Sequence, residues 1–289
     1  MKKQTIIILF VVLILSIFTF LYIKSDLIST PIENRLKNAE SFVREKIFQI
    51  SKEISNPGPL FGNRKSSNVI LTKAGVLMWT NIERKQNSEY GALKENVDLN
   101  KIAQLRLEDM FAKQYFEHVS PTGESASDVA DEVGYEYIAV GENIALGNFD
   151  NDEALVQAWM NSPGHRANIL NKKYREIGIA TKKGMYDGDE VWIAVQIFGR
   201  PLSDCTEPSA ILKNNIEKNQ NEIEELKKEA SDMYAVLQSL KNHSSQEYNS
   251  KVDEYNAIVN KVNDKVAKTK DLIAQYNEQA KIFNTCLEN

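Results

Sequence analysis

The chain has 289 residues, of which 42% are apolar and 26% charged, with a formal net charge of -5. That length exceeds one ordinary domain, the composition is globular, and the acidic balance excludes the basic surplus of a nucleic-acid binder. Two cysteines exclude a disulfide-dense scaffold and leave room for one bridge in an oxidising compartment.

Lys2 and Lys3 precede an unbroken apolar run from Thr5 to Ile23, close to the roughly 20 residues that cross a bilayer as a helix. A cleaved secretory signal has a shorter apolar region and a small-x-small cleavage site; this run ends in Leu21-Tyr22-Ile23-Lys24-Ser25-Asp26 without one. The pattern predicts a signal anchor over residues 1–24. The two lysines stay inside and the rest of the chain lies outside the cytoplasm. A cleaved signal and a buried core helix are the alternatives. Residues 25–68 read as an amphipathic stalk and linker. Leu36, Ala39, Val43, Ile47, Ile50 and Ile54 recur at helical spacing, and Asn56-Pro57-Gly58-Pro59 stops the helix.

Residues 69–202 mix helix and strand signals. Helices are expected over 72–87, capped by Thr72; over 98–116, with Asp98 as cap; near 125–133; over 151–161; and from Ser162-Pro163 to about Leu170. Extended segments are expected at 136–146, Ile177–Ala180 and Val191–Phe198, the last two joined through Gly184–Gly188. This is an α+β pattern, with helices packed on a small antiparallel sheet. Residues 203–289 carry apolar positions in steps of three and four from Leu212 to Leu240 and again from Tyr248 to Phe283, around Asn242-His243-Ser244-Ser245. They predict an antiparallel coiled-coil hairpin. Counting from Ser244, Cys205 lies about 39 residues before and Cys286 about 42 after, so the hairpin register brings the two together. A Cys205–Cys286 disulfide follows, with two buried free thiols as the alternative.

Two of the three histidines stand in distinctive settings, Tyr115-Phe116-Glu117-His118-Val119-Ser120-Pro121 and Ser162-Pro163-Gly164-His165-Arg166, with Gly141-Glu142-Asn143 between them. Together with Trp159-Met160-Asn161, Glu176–Ala180 and Val191–Gly199, this order resembles the CAP superfamily (cysteine-rich secretory, antigen 5 and pathogenesis-related proteins), in its bacterial form. The resemblance covers roughly residues 70–200. It implies an α-β-α sandwich whose cleft presents two histidines and acidic residues and can hold a divalent metal. Carried over, His118 and His165 are the cleft histidines and Glu142 the first cleft glutamate. The second glutamate that relatives place after the tryptophan is missing, because Met160, Asn161 and Ser162 follow Trp159.

Two imidazoles and a carboxylate suit Zn2+ or another divalent ion with room for a water. His165 in the first turn of a helix favours the neutral ring that coordinates metal. The alternative is that Glu142 and a histidine hydrogen-bond to hold the cleft. Arg166 is expected to pair with Glu142 or a helix carboxylate. Three functions remain open. The first is a membrane-anchored binding module at the cell envelope, taking a small ligand, lipid or wall fragment in the cleft and a protein partner on the hairpin. The second is a zinc-dependent hydrolase, with Glu117 or Glu132 as substitute base. The third is a structural spacer.

Overall fold

The computed structural model describes residues 52–65, 68–240 and 245–288. The expected anchor, most of the stalk and the hairpin tip lie outside the described residues. Among those described, no helix is long and apolar enough to cross a membrane.

In chain order the elements are β1 (Glu53–Ser55), β2 (Leu60–Phe61), α1 (Lys73–Asn87), β3 (Lys94–Glu95), α2 (Val97–Lys113), α3 (Ala126–Val133), β4 (Tyr137–Gly147), α4 (Asp152–Asn161), α5 (Pro163–Ile169), β5 (Glu176–Tyr186), β6 (Asp189–Pro201), α6 (Ala210–Leu240) and α7 (Ser245–Glu288). They form two compact units, residues 52–212 with 274–288, and residues 213–273.

The first unit is an α+β sandwich. Its sheet runs β1-β4-β6-β5-β3, with β2 following β1 along the same edge of β4. The three long strands are antiparallel, but β1, β2 and β3 pair in parallel, so the sheet is mixed rather than the purely antiparallel one expected. Alternation along β6 shows why helices cover both faces. Val191, Ile193, Val195 and Ile197 join the core under α2 and α3, while Trp192, Ala194 and Phe198 join the core under α1, α4 and α5. Successive strand residues point to opposite faces, and both are apolar here.

Local signals explain most boundaries. Thr72 caps α1, accepting from the Gly75 N–H at 3.0 Å, and Ser162 precedes Pro163 at the first turn of α5. α2 begins one residue earlier than expected because Asn96, not Asp98, is its cap: Asn96 Oδ1 accepts from the N–H groups of Asp98 (2.8 Å) and Leu99 (3.1 Å). β5 and β6 run on through Gly184–Tyr186. Their turn is Asp187-Gly188, both with positive φ (50° and 83°), as a two-residue hairpin of the primed type requires. The largest departure is at Glu53–Phe61. Where the stalk helix was expected to end and a featureless linker to begin, the chain instead adds two short strands to the edge of β4.

In the second unit, Ile216, Ile223, Ala230 and Leu237 of α6 are buried at seven-residue intervals. Lys265 pairs with Glu222, and the rings of Tyr234 and Tyr255 lie 6.2 Å apart. The first unit holds the helix bases. Cys205 and Cys286 are joined by a disulfide with a Cα–Cα separation of 5.7 Å. Beside it, Phe283 packs with Ile138, and Arg200 Nη2 donates to the Cys286 carbonyl at 2.9 Å.

Candidate functional site at the edge of the central sheet

The site is built on β4. Its side chains alternate between faces, so Glu142 points toward α2 and Asn143 toward α1 and α5. Glu142 is fully buried, and both its oxygens are committed. Oε1 accepts from Arg106 Nε at 3.0 Å and Oε2 faces His118 Nδ1 at 2.6 Å. Arg106, 1% exposed, also donates to the Tyr115 hydroxyl (2.8 Å) and to the carbonyls of Glu117 (3.1 Å) and His118 (2.9 Å). One guanidinium therefore fixes both the carboxylate and the loop that carries His118. Burial works against its charge, but the Glu142 carboxylate outweighs this and holds Arg106 above its ordinary pKa. Arg106, not Arg166, is the partner of Glu142; Arg166 Nη2 instead donates to Asn87 Oδ1 at 2.9 Å.

On the other face, Asn143 Nδ2 donates to the His165 carbonyl (3.2 Å) and to Gln196 Oε1 (3.1 Å), and Gln196 Nε2 donates to Thr80 Oγ1 (2.7 Å). This buried amide chain ties α1, β6, β4 and α5 together. His165 sits in the first turn of α5 and is 1% exposed. Its Nδ1 meets Ser162 Oγ at 2.8 Å, and its Nε2 is buried without a hydrogen-bond partner. Burial, followed by the charge of His118, pushes its pKa down to about 4, with the Ile144 backbone opposing the shift. The ring is therefore neutral at physiological pH.

The two histidines approach the edge of β4 from opposite faces, and Asn56-Pro57-Gly58-Pro59 lies between them. His118 Nε2 contacts the Pro57 carbonyl. A Cβ placed on Gly164 would fall 2.6 Å from Pro57 Cβ, so only glycine lets the proline ring settle against the start of α5. Asn168 Nδ2 donates to the Ser55 carbonyl at 3.2 Å and to Asn143 Oδ1 at 3.0 Å.

The expected ligands His118, His165 and Glu142 thus lie together at the edge of β4. Each Glu142 oxygen already has one partner, Arg106 Nε and His118 Nδ1. Both ring nitrogens of His118 face acceptors, Glu142 Oε2 and the Pro57 carbonyl. His165 Nε2 is buried without a partner at hydrogen-bond geometry. No group of three or more His, Cys, Asp or Glu residues is placed to hold a metal ion among the described residues. Glu117 and Glu132 are solvent-exposed.

Sequence reasoning overlooked Arg106, Asn168 and the Pro57 segment. Arg106 had left a trace: it falls within the apolar stripe Leu99, Ile102, Ala103, Arg106, Leu107, Met110, and a cation on a buried face requires a buried partner.

Comparison with known proteins agrees with this architecture. Residues 79–198 match the CAP family, described as the cysteine-rich secretory protein family. The chain is 39% identical over 126 residues to the uncharacterized protein YkwD of Bacillus subtilis, covering 44% of this chain and 47% of that one. It is 27% identical over 154 residues to the uncharacterized membrane protein YlbC of the same organism, covering 53% and 44% respectively. The chain thus spans under half the length of these curated relatives. Among solved structures, an extracellular protein containing an SCP domain from Bacillus anthracis is 30% identical, covering 44% of this chain and 40% of that chain, with a TM-score of 0.37. With its motifs in order around one buried carboxylate and two histidines, the stretch of residues 79–198 matches the CAP family and is similar to its Bacillus relatives.

Proposed function

We propose that this chain is an extracytoplasmic CAP-domain binding module of a cell envelope, anchored through Thr5–Ile23, whose cleft recognises a ligand rather than hydrolysing a substrate. The observation that carries this reading is the engagement of Glu142: its oxygens are paired with Arg106 and His118, so this buried carboxylate is not poised as a general base. Such a base must reach the proton it removes. The Cys205–Cys286 disulfide suits an oxidising compartment. The apolar run after Lys2-Lys3 and the membrane protein among the relatives support the location.

The competing reading is zinc-dependent hydrolysis, which requires His118 and His165 to turn free nitrogens toward a shared ion. Calorimetric titration of the full chain with zinc, in parallel with His165→Ala, separates the two. The module reading expects no stoichiometric uptake that depends on His165. A zinc site abolished by His165→Ala, accompanied by hydrolytic activity, would overturn it. Protease treatment of intact cells tests the location, which requires the CAP domain to be digested without lysis.

A further inference from the structure

The occupant of the cleft belongs to the chain itself. Residues 53–61 lie along the free edge of β4 in parallel register, Ser55 opposite Gly141 and Leu60 opposite Ala145. Four residues, 56–59, therefore face only three, 142–144, and the segment bulges over Glu142 and Asn143. The two prolines cannot donate to a ladder, which is why pairing lapses there. The protein grips this bulge mainly by its main chain: Asn168 donates to the Ser55 carbonyl and His118 contacts the Pro57 carbonyl. Side chains add three contacts: the Pro57 ring rests on Gly164, Leu60 packs partly buried against the core under α1, α4 and α5, and Phe61 meets Phe116 edge-on at 5.2 Å.

The strap and its bed differ sharply in burial. No residue from Lys52 to Phe61 is buried, and Ile54 and Phe61 are 48% and 61% exposed. Beneath them, Glu142, Asn143, His165 and Asn168 are each at most 1% exposed, and His165 Nε2 has no partner. The bed also has hydrogen bonds of its own, from Arg106 to Glu142 and from Asn143 to Gln196 and the His165 carbonyl. Segments with little buried apolar area open at low free-energy cost, and an exposed strand edge is a template for an added strand.

We infer that this edge is a binding site for an extended, proline-containing peptide supplied in trans, which pairs with β4 and sets a proline on Gly164 and a carbonyl on His118, and that residues 53–61 occupy it in cis as a competing strap. This inference deepens the binding-module reading and rests on it. Its failure would leave that reading with a different ligand, whereas a His165-dependent zinc site with hydrolytic activity would remove the reading itself.

The test uses the full chain with residues 53–61 replaced by a Gly/Ser segment of equal length, and a fluorescent peptide of the sequence of residues 52–62. The replaced chain should bind the peptide at least about tenfold more tightly than the wild type does. A scrambled peptide should not bind, and adding Gly164→Val or Asn168→Ala should each weaken binding. A folded replaced chain that ignores the peptide, or binding indifferent to Gly164→Val, would overturn the proposal. Hydrogen exchange on the wild type decides independently of whether the replaced chain folds. The strap amides Ile54, Ser55 and Phe61 should exchange at least about a hundredfold faster than those of β6, through local opening. Exchange at the β6 rate would make the segment a permanent strand and end the inference.

Discussion

Arg106→Met should destabilise the CAP domain strongly, and the structure sets the scale. Arg106 and Glu142 are 1% and 0% exposed at the side chain and 3.0 Å apart. Methionine nearly matches the arginine stem in length, so little volume is lost. The carboxylate is left buried with His118 as its remaining partner, and the carbonyls of Glu117 and His118 lose their donor. Breaking one side of a buried pair costs about 3–5 kcal/mol, a large share of the ~5–15 kcal/mol that holds an ordinary domain together. All three tryptophans, Trp79, Trp159 and Trp192, lie in this domain, so their fluorescence in urea reports its unfolding directly. The midpoint should fall while the slope stays constant, the signature of a stability change. Adding Glu142→Leu should cost less than the sum of the two single changes, because the unpaired charge disappears with its partner. A loss below about 1 kcal/mol, or strict additivity in the cycle, would refute the view that this pair organises the site.

Replacing Cys205 and Cys286 by serine opens a loop with a sequence separation of 81 and should lower stability by about 4–5 kcal/mol in the chain-entropy account, read from the same urea midpoint. His165 binds its proton only near pH 4 when folded but near 6.5 when unfolded, so the unfolded state takes up the extra proton between these values. Its stabilising contribution is complete above about pH 6.5 and is lost as pH falls toward 4, on the order of 3 kcal/mol in all. His165→Gln should flatten this slope between pH 6.5 and 5, and an unchanged slope would place the titration elsewhere. A Cβ on Gly178 would lie 1.9 Å from the Leu99 carbonyl carbon, so Gly178→Ala should push α2 off β5 and cost about 1–3 kcal/mol or more, measured by thermal unfolding.

What the sequence determined by itself was whatever depends on near neighbours and on motif order. Thr72, Ser162-Pro163 and the apolar spacings located α1, α5 and the helical arms, because caps and periodicity act within a few residues. The order of Glu117-His118, Gly141-Glu142 and Pro163-Gly164-His165 identified the CAP domain, and the matched distances from the polar turn paired Cys205 with Cys286. Tertiary structure alone decided what each polar group touches. Arg106 and Glu142 are 36 residues apart, and Arg166 offered the same charge nearer by in the chain; burial on facing elements selected Arg106. Of the helical apolar spacing, residues 53–61 hold only Ile54, its last position, before Asn56-Pro57-Gly58-Pro59, and no strand is expected there. Their short strands form because β4, buried along its whole length, presents an unpaired row of backbone donors and acceptors that a passing segment can satisfy. Since a hydrogen-bonding edge recognises main chain whatever the side chains, no pattern of side chains could have announced it.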